Sequence, residues 1–192
     1  MKKPYVIAIN AVSGGGKTAL ARLVQESLPA SMLFCFDDFD DTNIYPDDFY
    51  EWSRQGRNPL QIDCPGMGEA VARVYHQAKL KNIVLDYPLG RDHPRFASII
   101  NLSVFIDTPL DVAMARRILR DYAFAPPTSA AEKLKQLGTE MTHYLEKARY
   151  PYLDACKHKE TADLILDGWR PLAELCDQVL AKTKANNATF VQ

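Results

Sequence analysis

The chain has 192 residues, of which 47% are apolar and 24% charged, and its formal net charge at pH 7 is −1. This length suits one domain with a single buried core. The lack of a strong basic charge argues against a nucleic-acid or membrane partner and favours a small molecule as the binding partner.

Five short apolar runs predict strands that are buried on both faces, as in a parallel sheet. They lie at 5–9, 32–36, 83–85, 102–106 and 162–166. Strands that alternate with helical segments predict an α/β fold, here a doubly wound, five-stranded, mostly parallel sheet flanked by helices. We expect one domain over residues 1–182.

The helical segments between these runs show apolar residues at i, i+3 and i+4. The first three are predicted at 20–28, 69–80 and 110–118. A longer helix is predicted over 130–149, with a capping box of Ser129 and Glu132 at its start and Pro151 marking its end. A last helix follows Pro171, and residues 183–192 are expected to form a frayed tail.

Two segments interrupt this alternation. Residues 38–68 are rich in Asp, Pro and aromatic residues, and we interpret them as an insert that covers the substrate. Residues 116–130 include Pro126 and Pro127 and are interpreted as a helical lid. Ligands of such folds bind at the carboxyl ends of the strands.

The stretch NAVSGGGKTALA, residues 10–21, allows two phosphate-binding interpretations. Gly14, Gly16 and Ala19 satisfy a loose dinucleotide fingerprint, with Asp37 about 20 residues further on. The Lys17-Thr18 pair instead indicates a Walker A loop, although Ala11 stands where its first glycine is expected. Three residues separate the strand from the first glycine, and this larger loop favours a triphosphate.

A Walker A loop assigns a role to each of its residues. The backbone N–H groups of Ser13, Gly14, Gly15 and Gly16 surround the phosphates, Lys17 reaches the β- and γ-phosphates, and Thr18 binds Mg²⁺. Alanine is the smallest replacement for the missing glycine. The predicted ligands are therefore ATP and Mg²⁺.

Carboxylates and arginines follow the other strands. Asp37 is a candidate catalytic base, or a Mg²⁺ ligand through water, and Asp86 ends an apolar strand as a Walker B carboxylate does. Arg116, Arg117 and Arg120 lie on one predicted helix. Arg116 is a candidate nucleotide ligand, and all three are candidates for stabilising charge during phosphoryl transfer.

These motifs, in this order, resemble the P-loop kinases of the uridine kinase and phosphoribulokinase type. The resemblance rests on AVSGGGKT, FDDF, QIDCPG, NIVLDYPLGR, FIDTPLDVAMARRILRD and ARYPYLDACKHKETADLILDG. It implies that Asp37 is the base, that Lys17 and Thr18 bind the ATP phosphates and Mg²⁺, and that Arg117 and Arg120 belong to the lid helix. It also implies that Asp63 contacts the sugar hydroxyls of an acceptor.

The chain departs from uridine kinases in two places. The base-reading hairpin after Asp63 is missing, and residues 123–127 replace an arginine-rich lid continuation. Further candidates for the acceptor pocket are Tyr45, Trp52, Arg91, His93 and Arg149.

The predicted function is transfer of the γ-phosphoryl group of ATP to a hydroxyl of a nucleoside, sugar or vitamin. A P-loop ATPase or nucleotide switch acting on a protein partner is the alternative, and a dinucleotide-dependent oxidoreductase is a third. No apolar run reaches membrane-spanning length, so we expect a cytoplasmic protein, and a homo-oligomer is left open.

Overall fold

The computed structural model describes residues 3–77, 79–123 and 129–189. Its five strands form one sheet in the order β2-β3-β1-β4-β5, and every strand pair is parallel. The strands are β1 Tyr5–Asn10, β2 Ser31–Cys35, β3 Asn82–Asp86, β4 Leu102–Asp107 and β5 Leu164–Asp167. The predicted α/β fold and its five strands are confirmed.

The sheet separates two apolar cores. Ile7 and Ile9 of the central strand face a cluster that includes residues of the first and last helices, whereas Val6 and Ala8 face a cluster on the opposite side. Alternate residues of one strand are thus buried on both faces, as expected for a central parallel strand.

Eight α-helices occur in the described residues: α1 Lys17–Ser27, α2 Phe49–Arg54, α3 Pro65–Tyr75, α4 Pro94–Ala97, α5 Leu110–Ile118, α6 Ala130–His143, α7 Arg149–Ala155 and α8 Leu172–Thr189. Two π-helical turns, Leu119–Ala123 and Tyr144–Ala148, follow α5 and α6. Helix α3 begins at Pro65, at a first-turn position that suits proline, and ends five residues before the predicted boundary.

The predicted end of the long helix at Pro151 is wrong. The capping box of Ser129 and Glu132 is present, but the helical path continues from α6 through the π turn into α7. The wider π turn changes the hydrogen-bond register before Pro151, which then lies in the first turn of α7. The predicted apolar face is also incompletely covered, since Leu134 and Leu145 are 70% and 73% exposed.

The predicted frayed tail is wrong over residues 183–189, which belong to α8. Thr183 is buried and its hydroxyl donates to the carbonyl of Val179 over 2.8 Å. The side-chain amide of Asn186 donates to the Tyr5 hydroxyl over 2.9 Å. These contacts join the last helix to the start of β1, and residues 190–192 lie outside the described part.

A 3₁₀ turn at Phe36–Phe39 leads into the insert, which contains α2, a second 3₁₀ turn at Pro59–Gln61 and an antiparallel bridge between Ile44 and Asp63. In the predicted lid, residues 116–123 are helical, whereas residues 124–128 lie outside the described residues. None of the helices in the described ranges is long and apolar enough to cross a membrane.

Candidate active site

The loop between β1 and α1 has the backbone of a phosphate-binding turn. Gly14 and Gly16 adopt positive φ angles of 80° and 96°, which favour glycine. A side chain on Gly14 would collide with the backbone carbonyl of Ala113 in α5, whereas the space beside Gly16 is open. The loop therefore packs against α5 on one side and opens at the amino terminus of α1, where N–H groups favour anions.

The loop accommodates Ala11 because Gly15 has no side chain. Ala11 is buried in the core, and a Cβ added to Gly15 would lie 2.8 Å from the Ala11 methyl group. The carbonyl of Gly15 accepts a hydrogen bond from the Thr108 hydroxyl over 2.9 Å, which joins the loop to the end of β4. The departure from the Walker A pattern is thus compensated within the loop.

Lys17, Thr18 and Asp86 form one polar cluster. The register of β1 and β3 pairs Ile9 with Asp86, which brings this carboxylate beside the loop. Asp86 Oδ2 accepts from Thr18 Oγ1 over 2.6 Å, and Lys17 Nζ lies 2.9 Å from Asp86 Oδ1. A hydroxyl and a buried carboxylate are oxygen donors of the kind that Mg²⁺ prefers, so these residues fit that ion.

A cavity of about 380 Å³ lies over this cluster. It brings together most of the predicted nucleotide and catalytic residues. Its lining includes Ser13, Gly14, Gly16, Lys17, Thr18, Asp37, Arg116 and Arg120, with Phe36 and Pro88 as apolar walls. Asp37 is exposed in the turn that follows β2, so its carboxylate is accessible to a ligand.

The three predicted arginines, on α5 and the turn that follows it, do not all face the cavity. Arg116 and Arg120 line the cavity, and Arg116 donates to the carbonyl of Gly168 over 3.3 Å. Arg120 is paired with Asp121 over 2.6 and 3.0 Å, which raises the pKa of the arginine. Arg117 is not among the cavity-lining residues and instead pairs with Glu140.

Asp63 lies in a two-bond ion pair with Arg95, a residue that sequence reasoning missed. Hydrogen bonding by Arg95 holds the pKa of Asp63 below its usual value. The backbone N–H of Cys64 also donates to this carboxylate over 2.8 Å. The two partners are 32 residues apart, and no local pattern around Arg95 indicates the pairing.

Aromatic side chains continue from the cavity wall into the insert. The ring of Tyr45 lies 6.2 Å from Phe36, and Phe49 connects Tyr45 to Trp52 at 5.9 and 6.1 Å. The Tyr45 hydroxyl donates to Asp40 over 2.6 Å, and burial with this hydrogen bond raises its pKa to about 12. Tyr45 is thus a neutral group next to the cavity at physiological pH.

The remaining predicted acceptor residues occupy other surroundings. His93 is buried, and its ring nitrogens lie 2.6 Å from the Tyr87 hydroxyl and 2.7 Å from the Ile62 carbonyl. Arg91 pairs with Asp163, just before the amino end of β5, whereas the phosphate loop follows the carboxyl end of β1. Arg149 is exposed at the start of α7. None of the three lines the cavity described above.

Sequence comparison finds curated relatives that span most of the chain, although no family model matches it. Uridine kinase from Borrelia garinii subsp. bavariensis is 26% identical over 187 residues, covering 84% of this chain and 85% of that protein. Uridine kinase from Oceanobacillus iheyensis is 23% identical over 194 residues, covering 86% and 87% of the two chains.

Solved structures share the fold. A gluconokinase from Sinorhizobium meliloti aligns with a TM-score of 0.54 at 18% identity, over 100% of this chain and 99% of that one. The Deinococcus radiodurans tunicamycin resistance protein aligns with a TM-score of 0.54 at 17% identity, over 94% and 95% of the two chains. The chain is thus similar in sequence to uridine kinases over most of its length and shares its fold with a gluconokinase, which supports a small-molecule kinase.

Proposed function

We propose that the chain transfers the γ-phosphoryl group of ATP, in a Mg²⁺-dependent reaction, to a hydroxyl of a nucleoside, sugar or vitamin. The observation that carries this proposal is the single cavity that joins the phosphate loop, Asp37 and two arginines. A nucleotide cradle with an adjacent accessible carboxylate is the arrangement that phosphoryl transfer to an alcohol requires.

The nucleotide side holds and neutralises the phosphates. The loop N–H groups and Lys17 bind the β- and γ-phosphates, and Arg116 and Arg120 face the charge that develops on the transferred group. Thr18 and Asp86 would hold Mg²⁺, which supplies further charge neutralisation at the phosphates. These groups act by position and charge.

Asp37 acts on the acceptor. Its carboxylate accepts a hydrogen bond from the acceptor hydroxyl, orients the oxygen towards the γ-phosphorus and takes the proton as the new P–O bond forms. Asp63 with Arg95, and the aromatic side chains of Tyr45 and Trp52, are proposed to position the rest of the acceptor. The matched relatives are uridine kinases, so nucleosides are the first acceptors to test.

The test measures ATP consumption with and without a panel of nucleosides, sugars and vitamins, and identifies the phosphorylated product by mass spectrometry. We expect one class of acceptor to raise ADP formation at least tenfold and to appear as its monophosphate. Hydrolysis that no acceptor changes, but that a protein partner stimulates, would instead support the P-loop ATPase or switch.

A further inference from the structure

Arg117 is held on the side of α5 that faces α6 and α7. Its guanidinium bonds to Glu140 of α6 and to the Tyr152 hydroxyl of α7, and it lies 5.9 Å from the centre of the Tyr152 ring. Its Nε is 3.6 Å from Asp121. The guanidinium thus contacts two further helices while its neighbours Arg116 and Arg120 line the phosphate cavity.

Glu140 holds two residues at once. One carboxylate oxygen accepts from Arg117 and the other accepts from the Tyr122 hydroxyl. Arg117 and Tyr122 stand on either side of Arg120 in the chain, and residues 119–123 form a π turn. The carboxylate therefore anchors the segment that carries Arg120 at both of its ends.

The environment makes this anchor stronger than an ordinary surface ion pair. The side chains of Arg117 and Glu140 are only 22% and 25% exposed, and the charged bond is supported by the hydroxyls of Tyr122 and Tyr152. The π-helix is rare and occurs mostly as single turns, frequently at functional sites. Without Glu140, the turn would lose contacts on both sides of Arg120.

We propose that Glu140 is a positioning residue, which acts through Arg117 and Tyr122 to keep Arg120 directed into the phosphate cavity. This inference rests on the proposed function and assigns Arg117 to the support of the site. Arginines fixed before the reaction stabilise developing charge without reorganising during it. Loss of the anchor should therefore affect binding of the transition state more than binding of the ground-state nucleotide.

The first test measures binding, so it needs no knowledge of the acceptor. Titrations compare ADP with Mg²⁺ alone, and ADP with Mg²⁺ and aluminium fluoride, which imitates the transferred phosphoryl group. We expect Glu140→Ala to weaken binding of the fluoride complex about tenfold or more, with ADP affinity changed less than about threefold. Glu140→Gln keeps one acceptor oxygen and replaces the other with an NH₂ group that only donates, so it should restore part of the loss. Glu146→Ala, an exposed acid in the second π turn, is the matched control and should bind like the unmodified chain.

The second test distinguishes positioning from general support of the fold. In an Arg120→Ala background, Glu140→Ala should weaken the fluoride complex by much less than it does alone, because the group that it positions is gone. Equal losses in both backgrounds, or unchanged binding in Glu140→Ala, would overturn the inference while leaving the kinase proposal intact. A chain that binds no ADP in any form would overturn the kinase proposal itself.

Discussion

The nucleotide side and the acceptor side of the site are built in different ways. The phosphate cradle comes from eight consecutive residues, 11–18, between a fully buried strand and a helix, with Asp86 supplied by the neighbouring strand in register. The proposed acceptor side comes from short turns and helices of the insert, and it is joined to α4 by the contact of Asp63 with Arg95. The cradle is thus specified locally, whereas the acceptor side depends on partners far apart in the chain.

The largest change in turnover is expected from a substitution in the phosphate-binding loop. Lys17→Ala should lower turnover about 100- to 1,000-fold, because the charge next to the transferred phosphoryl group is lost. The measurement is ADP formation under saturating acceptor, with Lys79→Ala, an exposed lysine, as the control. Tight NADH binding that Lys17→Ala does not change would favour the dinucleotide interpretation instead.

A substitution on the proposed acceptor side should change the KM for the acceptor, whereas Lys17→Ala changes turnover. Arg95→Ala removes both bonds to Asp63, so we expect the KM for the acceptor to rise about tenfold while the KM for ATP changes little. Arg73→Ala, which breaks an exposed pair with Glu69, is the matched control. A rise in both KM values would show that the two sides are not separable in this way.

The close packing of Gly15 against Ala11 predicts that a larger residue at position 15 destabilises the folded chain. Gly15→Ala should lower the free energy of unfolding by about 1–3 kcal/mol, because the new methyl group would lie 2.8 Å from both the Ala11 methyl group and the Val12 carbonyl oxygen. Ala11→Gly in the same chain should recover part of this loss. Thermal unfolding of the two single variants and the double variant gives the coupling free energy between positions 11 and 15. If the stability changes of the two single variants simply add in the double variant, the proposed contact is contradicted.

The smallest effect concerns pH. Burial lowers the pKa of His93 below its usual 6.5, because desolvation disfavours the charged form of the ring in the folded chain. Its contribution to stability is present above pH 6.5 and is lost as the pH falls through the folded pKa, because the unfolded chain then binds the extra proton. The unfolding temperature of His93→Gln should fall less between pH 7 and 5 than that of the unmodified chain. Equal falls in the unfolding temperature of the two chains would contradict a contribution of His93 to this pH dependence.

The sheet and the phosphate loop could be predicted because their signals are local. Strands buried on both faces appear as continuous apolar runs, and the spacing of Gly14, Gly16 and Lys17 fixes the loop within a few residues. The carboxyl ends of parallel strands share one edge, so Asp37 and Asp86 could be assigned to that edge as well.

The remaining features depend on tertiary contacts. Nothing near Glu140 in the sequence indicates that it binds Arg117, and nothing near Arg95 indicates Asp63. The helix pattern over 130–149 predicted a buried face, but Leu134 and Leu145 are exposed because no described element covers them fully. The chain end was expected to fray, whereas Asn186 donates to the hydroxyl of Tyr5, 181 residues earlier.

The central claim, that Asp37 activates an acceptor hydroxyl for attack on ATP, is tested most directly by following the γ-phosphoryl group of labelled ATP. Label transfer to the best acceptor is measured for the unmodified chain, Asp37→Asn and the neighbouring control Asp38→Asn. We predict that Asp37→Asn lowers transfer about 100-fold or more with ATP binding retained, whereas Asp38→Asn transfers label normally. Normal transfer by Asp37→Asn at saturating acceptor would contradict the account.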